Sequence, residues 1–165
     1  MKKIMILLAA CALLLSGCTE SHIVSGNAPD YSDLPQPVGG VVWEQLWTDF
    51  DEIYTDQELY PFSETVSAQI DDEKHQIQFF LLLNTEISQK AAAEYATTVI
   101  KGLNDLIAEQ NPNYTNSTDT SYGSFVEGYE VYVMVAPDAA KDDKTTWILE
   151  DTIPAGEYRA VLGAK

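Results

Sequence analysis

His75-Gln76-Ile77-Gln78-Phe79-Phe80-Leu81-Leu82-Leu83, followed after a short polar link by Ser88–Gln110 (SQKAAAEYATTVIKGLNDLIAEQ), is the stretch that decides the fold. Its first part alternates polar and apolar residues and then turns apolar at every position from Phe80 to Leu83. Alternation merging into a continuous apolar run predicts a strand whose later half is covered on both faces. The second part changes period. Ala92, Tyr95, Ala96, Val99, Ile100, Leu103, Leu106 and Ile107 recur at steps of three and four, the stripe of a long amphipathic helix. Thr85 or Ser88 can cap its start, and Pro112 pushes Asn111 away from helical geometry and ends it.

Working outward, Glu64–Ile70 reads as a strand joined to the first through the polar turn Asp71-Asp72-Glu73-Lys74. Upstream of Pro61 and Phe62, Trp43, Leu46, Trp47, Phe50, Ile53 and Tyr54 recur at helical spacing. That helix has an aromatic stripe. Trp43, Trp47 and Phe50 form a possible binding face, against the competing reading that the whole stripe is core. Downstream, Asn111–Gly123 is a polar loop, long enough to be either functional or simply mobile. Gly128–Ala136 alternates, with Tyr129, Val131, Val133 and Val135 on one side and Glu130, Tyr132 and Met134 on the other. Thr145–Ile153 is a further β-rich run, and Glu157–Leu162 is a candidate edge strand. The order helix, strand, strand, helix, strand, strand predicts an α+β two-layer sandwich over residues 41–165. A mostly antiparallel sheet of four to five strands would carry two helices on one face.

The N-terminus is a different kind of sequence. Lys2 and Lys3 precede an apolar run from Ile4 to Leu15 that is too short to span a bilayer, which takes about 20 residues. A positive flank, a short apolar core and small residues at its end make a secretory signal peptide. The run closes with Leu15-Ser16-Gly17-Cys18, which resembles the lipobox of bacterial lipoproteins. That resemblance covers residues 1–18. It implies cleavage after Gly17, lipid on Cys18, and attachment at the extracytoplasmic face of a cell membrane. Two acyl chains give lasting attachment where one gives only marginal binding. Residues 18–40 carry Pro29, Pro35, Pro37 and Gly39-Gly40 without apolar period, the composition of a flexible tether reaching on the order of 25 Å as a coil.

Composition then removes whole classes of function. The chain carries 9 Lys+Arg against 26 Asp+Glu, net −17, and loss of Lys2 and Lys3 with the signal takes it near −19. Between Cys18 and Glu73 there are 13 acidic residues and no Lys or Arg. Such a surface excludes nucleic acid as a partner and opposes docking on anionic lipid headgroups. It favours solubility, and it attracts cations or a basic partner. The only cysteines are Cys11 and Cys18, so the mature domain has no thiol nucleophile, disulfide or cysteine metal ligand. The folded region holds one histidine, His75, and the chain contains no Gly-x-Ser-x-Gly elbow, Ser-x-x-Lys pair or glycine-rich phosphate loop. No cofactor motif is present.

Carboxylates are the one chemistry left open. Asp49, Glu52 and Asp56 share helix faces within an acidic cluster and are weak candidates for a calcium site, against the reading of a solvated acidic face. By elimination, the expectation is a non-enzymatic, membrane-anchored extracytoplasmic module that binds a protein, a peptide or a cell-wall component. The alternatives are a small cell-envelope hydrolase using acidic residues and a small-ligand or calcium-binding domain.

Overall fold

The structure is a computed structural model that describes residues 40–162. The signal peptide, Cys18 and the tether up to Gly39 lie outside the described residues. Helix α1 spans Trp43–Tyr54, strands β1 and β2 span Ser63–Asp71 and Gln76–Leu83, and helix α2 spans Gln89–Gln110. Strands β3 (Glu130–Pro137) and β4 (Leu149–Ile153) complete a four-stranded sheet of order β1-β2-β3-β4. The fold is α+β, as the periodicities predict.

Two of the three strand pairings are antiparallel, and β2 and β3 run parallel. The parallel pair follows from the connection. Parallel neighbours need a crossover of a dozen residues or more, and α2 with the loop after it supplies one. The β1–β2 hairpin turns through His75, which sits at φ 50, in the left-handed region that few non-glycine residues occupy.

One face of the sheet is the core face. Ile77, Phe79, Leu81 and Leu83 of β2 are buried there with Val131, Val133 and Val135 of β3. Helix α2 packs its stripe of Ala92, Tyr95, Ala96, Val99, Ile100, Leu103 and Ile107 against them, and Leu46, Phe50 and Tyr54 of α1 fill the side toward β1. The expectation that Phe80–Leu83 is covered on both faces needs correcting. Burial along β2 alternates strictly, and Phe80 and Leu82 stay half-buried on the face away from the helices. There Phe80 lies 6.3 Å from the Tyr132 ring, so cross-strand contact accounts for the apolar run. Two further expectations are revised. Ile53 is exposed although it lies on the apolar period of α1, and Glu157–Leu162 forms no strand.

That last segment closes the β4 edge in another way. Arg159 makes two hydrogen bonds to Asp151, Nη1 to Oδ2 at 2.6 Å and Nη2 to Oδ1 at 2.8 Å, and the Leu162 N–H donates to the same carboxylate at 2.9 Å. Asp151 pairs with Val133 in the register and so points to the core side. An inward charge of this kind blocks edge-to-edge pairing with another chain, provided that it is answered.

The helices are held by specific contacts. Ser88 is the cap of α2, its Oγ accepting the Ala91 N–H at 3.2 Å, and Asn111 is extended as Pro112 requires. Tyr95 donates its hydroxyl to the Tyr54 carbonyl at 2.8 Å and lies 2.8 Å from Ser63 Oγ, tying α2 to the end of α1 and the start of β1. Gly102 lets α1 approach: a Cβ there would fall 1.5 Å from Tyr54 Oη, so only glycine fits beneath that ring.

Candidate binding cleft

The start of α1 is set by the end of α2. Val42, just before the helix, has no side-chain cap of its own, and its N–H donates to Gln110 Oε1 at 2.6 Å. This places Trp43 and Trp47 on successive turns, with ring centroids 5.9 Å apart and planes at 29°. The stripe then divides along its length. Phe50 is 1% exposed and packs on Phe79, so it is core. Trp43 and Trp47 are half-buried and line a cleft.

The other walls come from segments far away in sequence. The loop between α2 and β3 carries Tyr114 and Phe125, and it is pinned from the helix side. Asn104, fully buried, donates from Nδ2 to the Thr115 carbonyl at 2.9 Å and accepts at Oδ1 from Phe125 N at 3.1 Å and Val126 N at 3.4 Å. Asp105 beside it accepts from Ser117 N at 2.6 Å and Ser117 Oγ at 2.7 Å. Gly123 has φ +90, and a Cβ there would meet Asn104 Nδ2 at 1.8 Å, so the close approach of loop to helix needs glycine. Every one of these bonds is between protein groups, and the loop is a built wall.

Phe125 lies 5.2 Å from Tyr114 at 89°, 6.4 Å from Trp43 and 5.2 Å from Tyr129. Tyr129 precedes β3, and its hydroxyl donates to Asp72 Oδ1 in the hairpin turn at 2.7 Å. Burial pushes the Tyr129 hydroxyl up to about 12, and the neighbouring Asp72 carboxylate pushes the same way, so the phenol stays a hydrogen-bond donor at neutral pH. The cleft thus has five aromatic walls, with Ile70 and the Asp72 carboxylate at one end and a volume of about 410 Å³. That is within the usual range of small-molecule sites.

Of the residues singled out from sequence, the structure brings Trp43 and Trp47 into this cleft and leaves Phe50 out of it. Asp49, Glu52 and Asp56 do not converge. Asp49 accepts from Gln45 Nε2 at 2.6 Å on the preceding turn of α1, and Asp56 accepts from the Glu58 N–H at 2.7 Å in the turn beyond the helix. Among the described residues, no three histidine or carboxylate side chains are grouped to hold a metal ion together. His75 stands at the hairpin turn with its ring 6.1 Å from that of Tyr129. Sequence reasoning missed Asp72, Tyr114, Phe125 and Tyr129 as site residues. The one legible signal was two aromatics, Tyr114 and Tyr122, in an otherwise polar loop, since binding residues collect on loops that a rigid scaffold positions.

No family model matches the chain, and no curated protein and no solved structure matches it.

Proposed function

We propose that the chain is a lipid-anchored, extracytoplasmic binding module without catalytic activity, held to a membrane through Cys18, that takes a ligand into the aromatic cleft. The observation that carries this reading is the cleft itself. Trp43 and Trp47 remain half-buried beside Tyr114, Phe125 and Tyr129 although a helix–sheet core was available to bury them. Large aromatic rings at a concave, partly open site bring contact area with little conformational entropy to lose. The lipobox-like Leu15–Cys18 segment supports the anchor.

Two experiments test the two halves. Mass spectrometry of the membrane-extracted protein should show a chain beginning at an acylated Cys18, with the lipid mass absent in Cys18→Ala, and an unmodified Cys18 in the parent would refute the lipid anchor. Thermal unfolding of the full chain against cell-wall fragments, oligosaccharides, peptides and small organic ions should give a raised midpoint for one class. A ligand at one hundred times its dissociation constant stabilises by about 2.7 kcal/mol. A positive result should vanish in Trp47→Ala, and a shift that survives that change would place the ligand elsewhere.

A further inference from the structure

The cleft has a chemistry that narrows its ligand, and the argument rests on the reading of it as the ligand site. Its lining side chains include no Lys, Arg, Asn or Gln. The polar side-chain groups it offers are the phenols of Tyr114 and Tyr129, the indole N–H groups of Trp43 and Trp47, and the carboxylate of Asp72. A sugar presents many hydroxyls and needs donors and acceptors in pairs, whereas this lining has a single strong acceptor, the Asp72 carboxylate. A cation needs electron-rich ring faces and one negative group, and these are present. The negative faces of Trp, Tyr and Phe attract a cation, and quaternary ammonium groups are typically recognised by such aromatic cages.

The charge on Asp72 is also unanswered within the fold. Among the described residues, no Lys or Arg forms an ion pair with Asp72. The nearest basic residue in sequence, Lys74, is engaged with Asp71 at 2.6 Å. The carboxylate holds one hydrogen bond, from Tyr129, at Oδ1. A chain of net charge −17 draws cations toward its surface over longer range. The same charge repels an anionic bilayer, which favours a free molecule over a lipid headgroup as the source of the ammonium group.

We propose that the cleft selects a small organic cation of the alkylammonium class, its charged nitrogen against the faces of Trp43 and Trp47 and beside the Asp72 carboxylate. Phe125 and Tyr129 line the same cleft and offer further ring surface to the alkyl groups.

The test is calorimetric titration of the full chain with tetramethylammonium, choline, the neutral choline isostere 3,3-dimethyl-1-butanol, and glycerophosphocholine. Saturable binding of choline is expected, with the neutral isostere at least about tenfold weaker, since loss of a desolvated cation–π contact is of that size. Asp72→Asn, at an exposed position, should weaken choline by a similar factor without unfolding the domain, and added salt should weaken it further. Equal binding of the neutral isostere would overturn selection for charge while leaving the cleft as a ligand site. Glycerophosphocholine binding at least about tenfold tighter than choline would overturn the free molecule in favour of a lipid headgroup. Absence of binding by every ammonium probe at millimolar concentration would overturn the inference outright. A midpoint shift with an oligosaccharide or peptide in the same protein would then still support the binding module.

Discussion

Two carboxylates near opposite edges of the sheet meet opposite fates. Asp151, on β4, is 9% exposed in its side chain and is gripped by the Arg159 fork, by the Leu162 N–H and by its neighbour Thr152. Asp72, in the hairpin turn beyond β1, lies at the end of the aromatic cleft, accepts a hydrogen bond from a phenol and, among the described residues, has no basic residue paired with it. The chain answers the first charge from its own sequence and thereby closes an edge. It sets the second at the end of the aromatic cleft and, among the described residues, gives it no basic partner. A buried charge must be compensated for the fold to be stable, whereas a solvated one need not be, so the first pair serves architecture and the second is free to serve a ligand.

The comparison can be broken first at the wall of the cleft. Asn104→Ala removes the acceptor of two buried loop N–H groups and one donor to the loop, and each buried group left unmade costs about 1–3 kcal/mol. A total loss near 3 kcal/mol is expected in urea unfolding, together with loss of ligand binding as Tyr114 and Phe125 are released. Unchanged stability would mean that the loop is not held by the helix. At the other edge, Arg159→Ala leaves Asp151 uncompensated. Breaking a fully buried pair costs about 3–5 kcal/mol, and the residual exposure of Arg159 reduces this to roughly 2 kcal/mol. Ligand binding in the cleft should persist in that variant.

The third effect is smaller and depends on pH. Burial alone raises the Asp151 carboxyl, but the Arg159 hydrogen bonds, with the N–H groups of Leu162 and Thr152, hold it below its ordinary 3.8. A depressed folded value contributes stability that is present above 3.8 and is lost as pH falls through the folded value. Urea midpoints measured from neutral pH down through this range should therefore fall, and fall less in Arg159→Ala. An equal slope in both proteins would show that the pair is not the source. The smallest effect on stability is expected at the other carboxylate: Asp72→Asn, at an exposed turn, should stay within about 0.5 kcal/mol of the parent. A large loss there would make Asp72 a structural group like Asp151 and erase the contrast.

Much of the fold was legible because periodicity reports burial directly. The stripe from Ala92 to Ile107, the Ser88 cap and the stop before Pro112 all followed from local physics, whereas β3 alternates in burial only as far as Val133, after which Met134 and Ala136 are buried along with Val135. The parallel pairing of β2 with β3 did not follow from local physics, since a period of two is the same in either direction and only the length of the crossover distinguishes them. The cleft was half legible. Helical spacing put Trp43, Trp47 and Phe50 on one face, yet it carries no information on which part of that face the rest of the chain covers. Phe50 is covered by the sheet at Phe79, whereas Trp43 and Trp47 meet a loop that arrives from sixty or more residues downstream. Asp72 read as a turn residue and is one, whereas Tyr129 read as a strand residue and lies just before β3, at the end of the turn Val126–Gly128. Their meeting depends on the parallel register, in which the Glu130 N–H bonds to the His75 carbonyl.

The most direct measurement is amide and indole NMR of the full chain titrated with choline. Shifts concentrated on Trp43, Trp47, Asp72, Phe125 and Tyr129, with the Asp151–Arg159 edge silent, are what the account predicts. Shifts clustered at β4, or none at saturating choline, would contradict it.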